Sequence, residues 1–205
     1  MGISERKERE RQEMRQRIIE ASMAMFAEEG YEKTSIRNIA EKIEYSPATI
    51  YLYYKDKDEL LYDVQKMAFE KLLEVFRTEA TSRSPWKRLE QICTSYINFA
   101  LKRQELYELM FIIKAPMNVV EEQKAWTNGE DAFGYLMMTV HECMEKGLIS
   151  YKDADTAALS IWSMGHGLVS LHLCCRFKVL KLTDGEVEAI VHRSMGEYLR
   201  MIKAG

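Results

Sequence analysis

Apolar residues recur at three- and four-residue spacing along nearly the whole chain, the pattern of helices that bury one face. Ile18, Ile19, Met25 and Phe26 form the first such stripe, and Ile36, Ile39, Ala40 and Ile43 a second, shorter one. A third runs through Leu60, Leu61, Val64, Met67, Ala68, Leu72, Val75 and Phe76. Trp86, Leu89, Ile92, Tyr96 and Phe99 predict a fifth helix in chain order, and Leu106, Met110 and Ile113 a sixth. Residues 117–146 read as one long helix, and residues from about Asp155 to Cys175 and from Thr183 onward as two more. Extended period-two alternation is absent, so the chain reads as all-α with about nine helices.

The punctuation agrees with this reading. The three prolines, Pro47, Pro85 and Pro116, each fall at a predicted helix junction. Gly30 and Gly147 stand where helices should stop. Asp56 with Glu59, and Thr183 with Glu186, read as capping boxes, and Leu182 with Val187 as a hydrophobic staple.

Residues 35–57, SIRNIAEKIEYSPATIYLYYKDK, organise the rest. A short apolar-periodic segment is followed by the break Glu44-Tyr45-Ser46 and then by a second short helix, with Ser46 as N-cap and Pro47 at its first position. Tyr45 and Ile50 have staple spacing. Two short helices joined by a tight turn predict a helix-turn-helix whose second helix enters a DNA major groove.

The run FAEEGYEKTSIRNIAEKIEYSPATIYLYYKDKDELL, from Phe26, resembles the N-terminal domain of TetR-type bacterial transcriptional regulators. Phe26, Gly30, Tyr31, Thr34, Ile39, Ala40, Ser46, Thr49, Ile50, Tyr51, Tyr54, Lys57 and Leu60 carry the likeness, over about residues 10–65. Where the family usually has a small residue and then Gly, this chain has Ile43-Glu44, so Glu44 must either turn left-handed or alter the turn. Farther on, Trp162-Ser-Met-Gly-His166-Gly167 is similar to a Trp-x-x-x-His-Gly element in one branch of the family.

The resemblance implies a head over residues 1–55 that binds a palindromic operator in double-stranded DNA, and an effector-binding and dimerisation domain over 56–205. The expected DNA contacts are Thr34, Arg37, Ser46, Pro47, Ala48, Thr49, Tyr51, Tyr53 and Lys57. Thr34 is expected to cap the second helix and touch a phosphate, and Arg37 to reach a base edge or to pair with Glu41. Tyr51 and Tyr53 offer hydroxyls to phosphates, and Tyr54 is expected in the core. Lys57 sits at a helix N-terminus, where a phosphate would offset its unfavourable placement.

Charge adds little. The whole chain carries −3, and residues 1–60 hold 11 Lys and Arg against 13 Asp and Glu. The DNA reading therefore rests on the motif and on locally placed cations, not on bulk charge. Residues 4–17, with six basic and four acidic side chains, read as the solvated start of a helix or as an arm beside the DNA backbone.

The 13 methionines and many aromatics suggest a cavity for a small apolar effector. Its candidate lining is Phe69, Phe76, Tyr96, Phe99, Tyr107, Met110, Phe111, Trp126, Phe133, Met137, His141, Trp162 and His166; for each the plain alternative is core packing. Ser163, Gly165 and Gly167 permit close helix approach, and a homodimer interface is expected at Ser163, Gly167, Leu171, His172, Val187, Ile190, Val191 and Met195. The uncharged run 157–175 reads as a buried interface helix and not as a membrane span.

No His or Cys pair has ligand spacing, so no metal is expected; Cys174 and Cys175 are candidates for a redox switch, with burial in an apolar helix, which would leave the thiols inert, as the plainer expectation. No Gly-rich phosphate loop, His-Glu-x-x-His or nucleophile elbow occurs, so neither catalytic residues nor a cofactor are expected. The overall expectation is a cytoplasmic, ligand-responsive repressor. The alternatives are a helical adaptor that has lost DNA affinity and an all-α enzyme using the core cavity.

Overall fold

The computed structural model describes residues 2–114 and 129–204. Nine α-helices and one 3₁₀ turn occur among them: α1 (Ile3–Glu29), α2 (Ile36–Lys42), α3 (Pro47–Tyr51), α4 (Lys57–Glu79), α5 (Pro85–Lys102), α6 (Gln104–Phe111), α7 (Glu130–Glu145), α8 (Ala154–Leu173), the 3₁₀ turn Arg176–Leu180, and α9 (Asp184–Ile202). The fold is all-α, as the periodicity predicts; the described residues contain a single isolated β-bridge, between Ile149 and Lys203. Contacts divide the chain into two compact units. One holds residues up to Phe69 and the segment beginning at Glu105; the other holds Glu70–Gln104 and Gly129–Gly205. No described helix is long and apolar enough to cross a membrane.

In the first unit the predicted stripes close on each other. Ile18 and Phe26 of α1, Ile39 and Ala40 of α2, Ile50 of α3, Tyr54, and Leu60, Leu61 and Val64 of α4 are all at most 2 % exposed. Each aliphatic side chain so buried contributes about 1.5–3 kcal/mol of hydrophobic driving force. Gly30 ends α1 at φ 87°, a conformation that suits glycine, and its N–H bonds back to the Phe26 carbonyl.

In the second unit α5 packs against α7, α8 and α9. Leu89, Ile92, Tyr96 and Phe99 of α5, Leu136, Val140 and Cys143 of α7, Ile161 and Val169 of α8, and the α9 stripe Val187, Val191, Met195 and Leu199 are all buried, on helices that pack together. Phe76 of α4 stacks on Tyr135, whose hydroxyl donates to the Ala80 carbonyl at 3.0 Å. Gly165 is buried, and a Cβ there would stand 3.4 Å from the Tyr96 ring, so this small residue serves the approach of α8 to α5. The turn after α7 is pinned to the end of α9 by Ser150 N–H to the Ile202 carbonyl (2.8 Å) and Ala204 N–H to the Leu148 carbonyl (3.0 Å).

The expected helix starts are met with small shifts. Asp153 caps α8 by accepting from the Thr156 N–H, two residues before the Asp155 expected there. Glu186 accepts from both the N–H and the hydroxyl of Thr183, and these bonds hold its carboxyl below the usual range. Of the helix expected over 117–146, α7 is the described part; Met117, Val119, Val120, Gln123 and Trp126 lie outside the described residues.

Candidate nucleic-acid interface

The turn between α2 and α3 is built from backbone bonds first. Ser35 caps α2, its side chain accepting from the Asn38 N–H at 3.2 Å. At the other end Tyr45 N–H returns to the Ala40 carbonyl (2.9 Å) and Glu44 N–H to the Glu41 carbonyl (3.1 Å), which together make a Schellman stop. That stop needs a left-handed residue, and Glu44 supplies it at φ 62°, at a cost of about 1 kcal/mol for a side chain with a Cβ. So the turn keeps its geometry without glycine. Arg17 of α1 braces it, donating to the Ile43 carbonyl at 3.3 Å and lying 5.4 Å above the Tyr45 ring. Tyr45 is 39 % exposed, with the Arg17 guanidinium over its ring.

Helix α3 begins as predicted. The Ser46 side chain accepts from the Thr49 N–H at 3.3 Å and meets the Thr49 hydroxyl at 3.1 Å, with Pro47 at the first helical position. Ile50 and Tyr54 turn inward and are essentially buried, so the opposite face looks out. Ser46 and Ala48 are exposed, Tyr51 is 56 % exposed, and Pro47, Thr49 and Tyr53 are partly exposed. The adjoining Arg37 side chain is 80 % exposed and pairs with Glu41 at 3.4 Å, a surface ion pair that costs little to break. The outward side chains are thus short or aromatic, with one guanidinium beside them. They suit groove-edge and phosphate contacts.

Two of the expected contact residues, Thr34 and Lys57, have partners within the chain. Thr34 is only 1 % exposed; its hydroxyl donates to the Gly30 carbonyl at 3.0 Å, and Ser35 takes the capping role. Lys57 is turned into its own unit. Its ammonium donates to the carbonyls of Tyr31 (2.9 Å) and Thr34 (3.1 Å) and lies 4.0 Å over the Tyr31 ring. Tyr31 in turn donates to Asp58 at 2.6 Å, and burial together with the Asp58 carboxylate raises its hydroxyl pKa. Lys57 therefore ties the start of α4 to the α1–α2 connection. The α4 cap is as expected at Asp56, which accepts from Glu59 N–H at 2.8 Å, but Glu59 reaches back to the Lys55 N–H.

One constellation had no signal in the sequence. Arg15 of α1 pairs with Asp63 of α4 at 2.7 Å, and Asp63 also accepts from the Tyr54 hydroxyl at 2.9 Å. Burial and the Asp63 charge raise the Tyr54 hydroxyl pKa. The residue behind the recognition helix is thereby fastened to both long helices of its unit. Spacings of 39 and 48 residues leave no local pattern to read.

The proposed cavity-lining residues divide between the units. Phe69, Tyr107, Met110 and Phe111 are in the first, with Phe69 and Phe111 edge-on at 5.2 Å and Tyr107 and Phe111 at 4.8 Å. Phe76, Tyr96, Phe99, Phe133, Met137, His141, Trp162 and His166 are in the second. His141 is exposed and Phe133 is 37 % exposed, so His141 lines no interior. Trp162 donates to the Tyr96 hydroxyl at 3.2 Å and lies 6.2 Å from His166, which meets Ser170 at 3.3 Å; burial lowers the imidazole pKa.

The dimer candidates also divide. Ser163 and Leu171 are exposed, and Gly167, His172 and Ile190 partly so. Val187, Val191 and Met195 are at most 5 % exposed within one chain, because their four-residue period faces the chain's own core. Cys174 and Cys175 are exposed, contrary to expectation, since α8 ends just before them and Cys175 adopts φ 55°. Burial pushes the Cys93 thiol up to about 12 and Cys143 to about 11.

The chain matches two family models: "Bacterial regulatory proteins, tetR family" over residues 18–64, and "Tetracyclin repressor-like, C-terminal domain" over residues 89–198. A protein of Escherichia coli K12 described as "Probable acrEF/envCD operon repressor" is 22 % identical over 174 residues, covering 82 % of this chain and 79 % of its own. A protein of unknown function from Rhodococcus sp. RHA1 shares the fold with a TM-score of 0.72 at 21 % identity, over 92 % of this chain and 94 % of that one. RolR, solved as a complex with the ligand resorcinol, gives a TM-score of 0.67 at 19 % identity, over 95 % of this chain and 89 % of that one.

Proposed function

Because the chain belongs to the TetR family of bacterial regulatory proteins and is a DNA-binding transcriptional repressor responsive to a ligand, we propose that it works in the cytoplasm as a homodimer on a palindromic operator. The DNA head is assigned to residues 1–55, and effector binding and dimerisation to 56–205. The observation that carries this reading is the Ser46-capped α3, with Tyr54 and Ile50 held inside and Tyr51 presented outside. Two such heads, one per copy, would enter successive major grooves.

The proposed contact set is Arg37 at a base edge, Pro47, Ala48 and Thr49 at the tip, and Ser46, Tyr51 and Tyr53 on phosphates. Ala48 and Thr49 suit thymine methyls, and no Arg, Asn or Gln stands on α3 to read a purine. DNA shape and Arg37 would then supply much of the selectivity. Copies would meet along α8 and α9 through Ser163, Gly167, Leu171, His172 and Ile190.

The effector is proposed to be a small apolar molecule held among the aromatic side chains that follow α3. The resorcinol seen in RolR, a neighbour in fold, supports an aromatic or similarly compact ligand. It acts only through unequal affinity for the operator-bound and operator-free arrangements of the dimer. Selection from a random DNA library with purified protein, at low and at moderate salt, tests the reading. Enrichment of one inverted repeat is expected; no enrichment would leave the adaptor reading in its place.

A further inference from the structure

Gln65 lies on α4 and is only 1 % exposed. Its Nε2 donates to the Leu109 carbonyl at 2.8 Å. That carbonyl is an orphan of the α6 terminus. Both Ile112 N–H (3.0 Å) and Ile113 N–H (2.9 Å) turn to Glu108, so the usual partner of Leu109 is diverted. Gln65 thus fills a specific vacancy, and its amide orientation follows from it, because a flipped amide would set oxygen against oxygen. The other end of the same amide, Oε1, is buried with no hydrogen-bond partner among the described residues.

A buried acceptor left unpaired is costly, and such sites in native proteins call for a reason. The surroundings give one. Phe69, one helical turn beyond Gln65 on the same face of α4, meets Phe111 edge-on at 5.2 Å, and Tyr107 lies 4.8 Å from that ring. Tyr107 and Met110 are themselves buried. An apolar, largely aromatic wall carrying one unsatisfied acceptor is the donor–acceptor pattern of a small-molecule site, where few polar groups fix the orientation.

We propose that Gln65 Oε1 is the acceptor for the effector, and that the effector class is an apolar molecule carrying one hydroxyl or N–H donor. This deepens the regulator reading above and rests on it. The ligand's donor would complete the Gln65 amide, while that amide already holds the end of α6 through Leu109. Occupancy therefore acts on α4 and α6 together. On α4 the signal need travel only two residues to Asp63, which fastens the helix to Arg15 and Tyr54 in the head.

The test uses the full-length protein and two matched probe pairs, 4-propylphenol with 4-propylanisole, and 1-decanol with decyl methyl ether. In each pair the ether keeps the apolar body and the acceptor but lacks the donor. Operator binding is established first by the selection described above, and its absence would sink the regulator reading independently of this one. With binding in hand, release of the operator and the ligand-induced shift in melting temperature are measured. At least one donor probe is expected to act at a concentration tenfold or more below that of its ether. Gln65→Met is expected to abolish the preference, so that both members act at similar concentrations. Equal action of alcohol and ether on the unaltered protein, or no action by either alcohol, overturns the proposal without needing the variant to fold. Preference retained in Gln65→Met would place the acceptor elsewhere and overturn it as well.

Discussion

Lys57 and Tyr31 are joined twice: the ammonium donates to the Tyr31 carbonyl at 2.9 Å and lies 4.0 Å above the Tyr31 ring. A second bond to the Thr34 carbonyl leaves one of its three protons unassigned. The lysine is a clamp on the α1–α2 connection. Lys57→Met is expected to destabilise the protein by roughly 1–3 kcal/mol, since two part-buried carbonyls lose a charged donor. Operator affinity should fall with it while the dependence on salt stays unchanged. A salt slope lowered by about one would instead return Lys57 to the phosphate contacts.

The roles proposed for Arg37, at a base edge, and Tyr51, on a phosphate, give variants with different signatures. Tyr51→Phe removes a neutral hydroxyl and is expected to weaken binding to every sequence alike, by roughly 0.5–1.5 kcal/mol. Arg37→Ala is expected to cost roughly 1–3 kcal/mol on the selected operator and to relax preference at one position. Competition assays over single-base variants of the operator distinguish the two. A uniform loss for Arg37→Ala would mean that it touches phosphate alone.

The helix-turn-helix, its Ser46 cap, the buried Tyr54 and the stop at Gly30 were legible because each is a local pattern of spacing and residue type. The same local reading misplaced Thr34, one residue from the true cap at Ser35. Capping preferences alone do not separate adjacent hydroxyl residues; the Gly30 carbonyl that takes the Thr34 proton does. Val187, Val191 and Met195 were assigned to a neighbouring copy although they face their own core, because a four-residue stripe states that a face is buried and not by what. The Arg15–Tyr54–Asp63 tie and the Gln65–Leu109 bond join distant residues and leave no periodic trace.

Glu44 offers a stability test. It holds φ 62° in a stop motif that suits glycine, and its side chain is exposed. Glu44→Gly removes the left-handed strain at the price of a looser unfolded chain, and a net gain of about 0.5–1 kcal/mol is expected. Urea denaturation of the two proteins measures it. A loss of stability would show that the flexibility added to the unfolded chain outweighs the strain.

His166 gives a pH dependence of definite sign. Burial lowers its folded-state pKa from 6.5, so the folded protein takes up this proton less readily than the unfolded chain. The penalty is absent above the unfolded value and grows as pH falls through the interval down to the folded value. Melting temperature is therefore expected to drop between pH 7.5 and pH 5.5, and His166→Gln should flatten part of that drop. An identical pH profile in the variant would remove His166 as its source.

The chain also carries its own chemical handles. Cys174 and Cys175 stand exposed where α8 ends, whereas Cys93 and Cys143 are enclosed, with thiols that resist ionisation at neutral pH. A maleimide or a bridging arsenical dye should therefore mark one end of one helix in the native protein, with no engineered cysteine. A spectroscopic ruler between two labelled copies could then follow their separation as operator and effector are exchanged. The same exposure means that samples kept without reductant will accumulate disulfide-linked species with age.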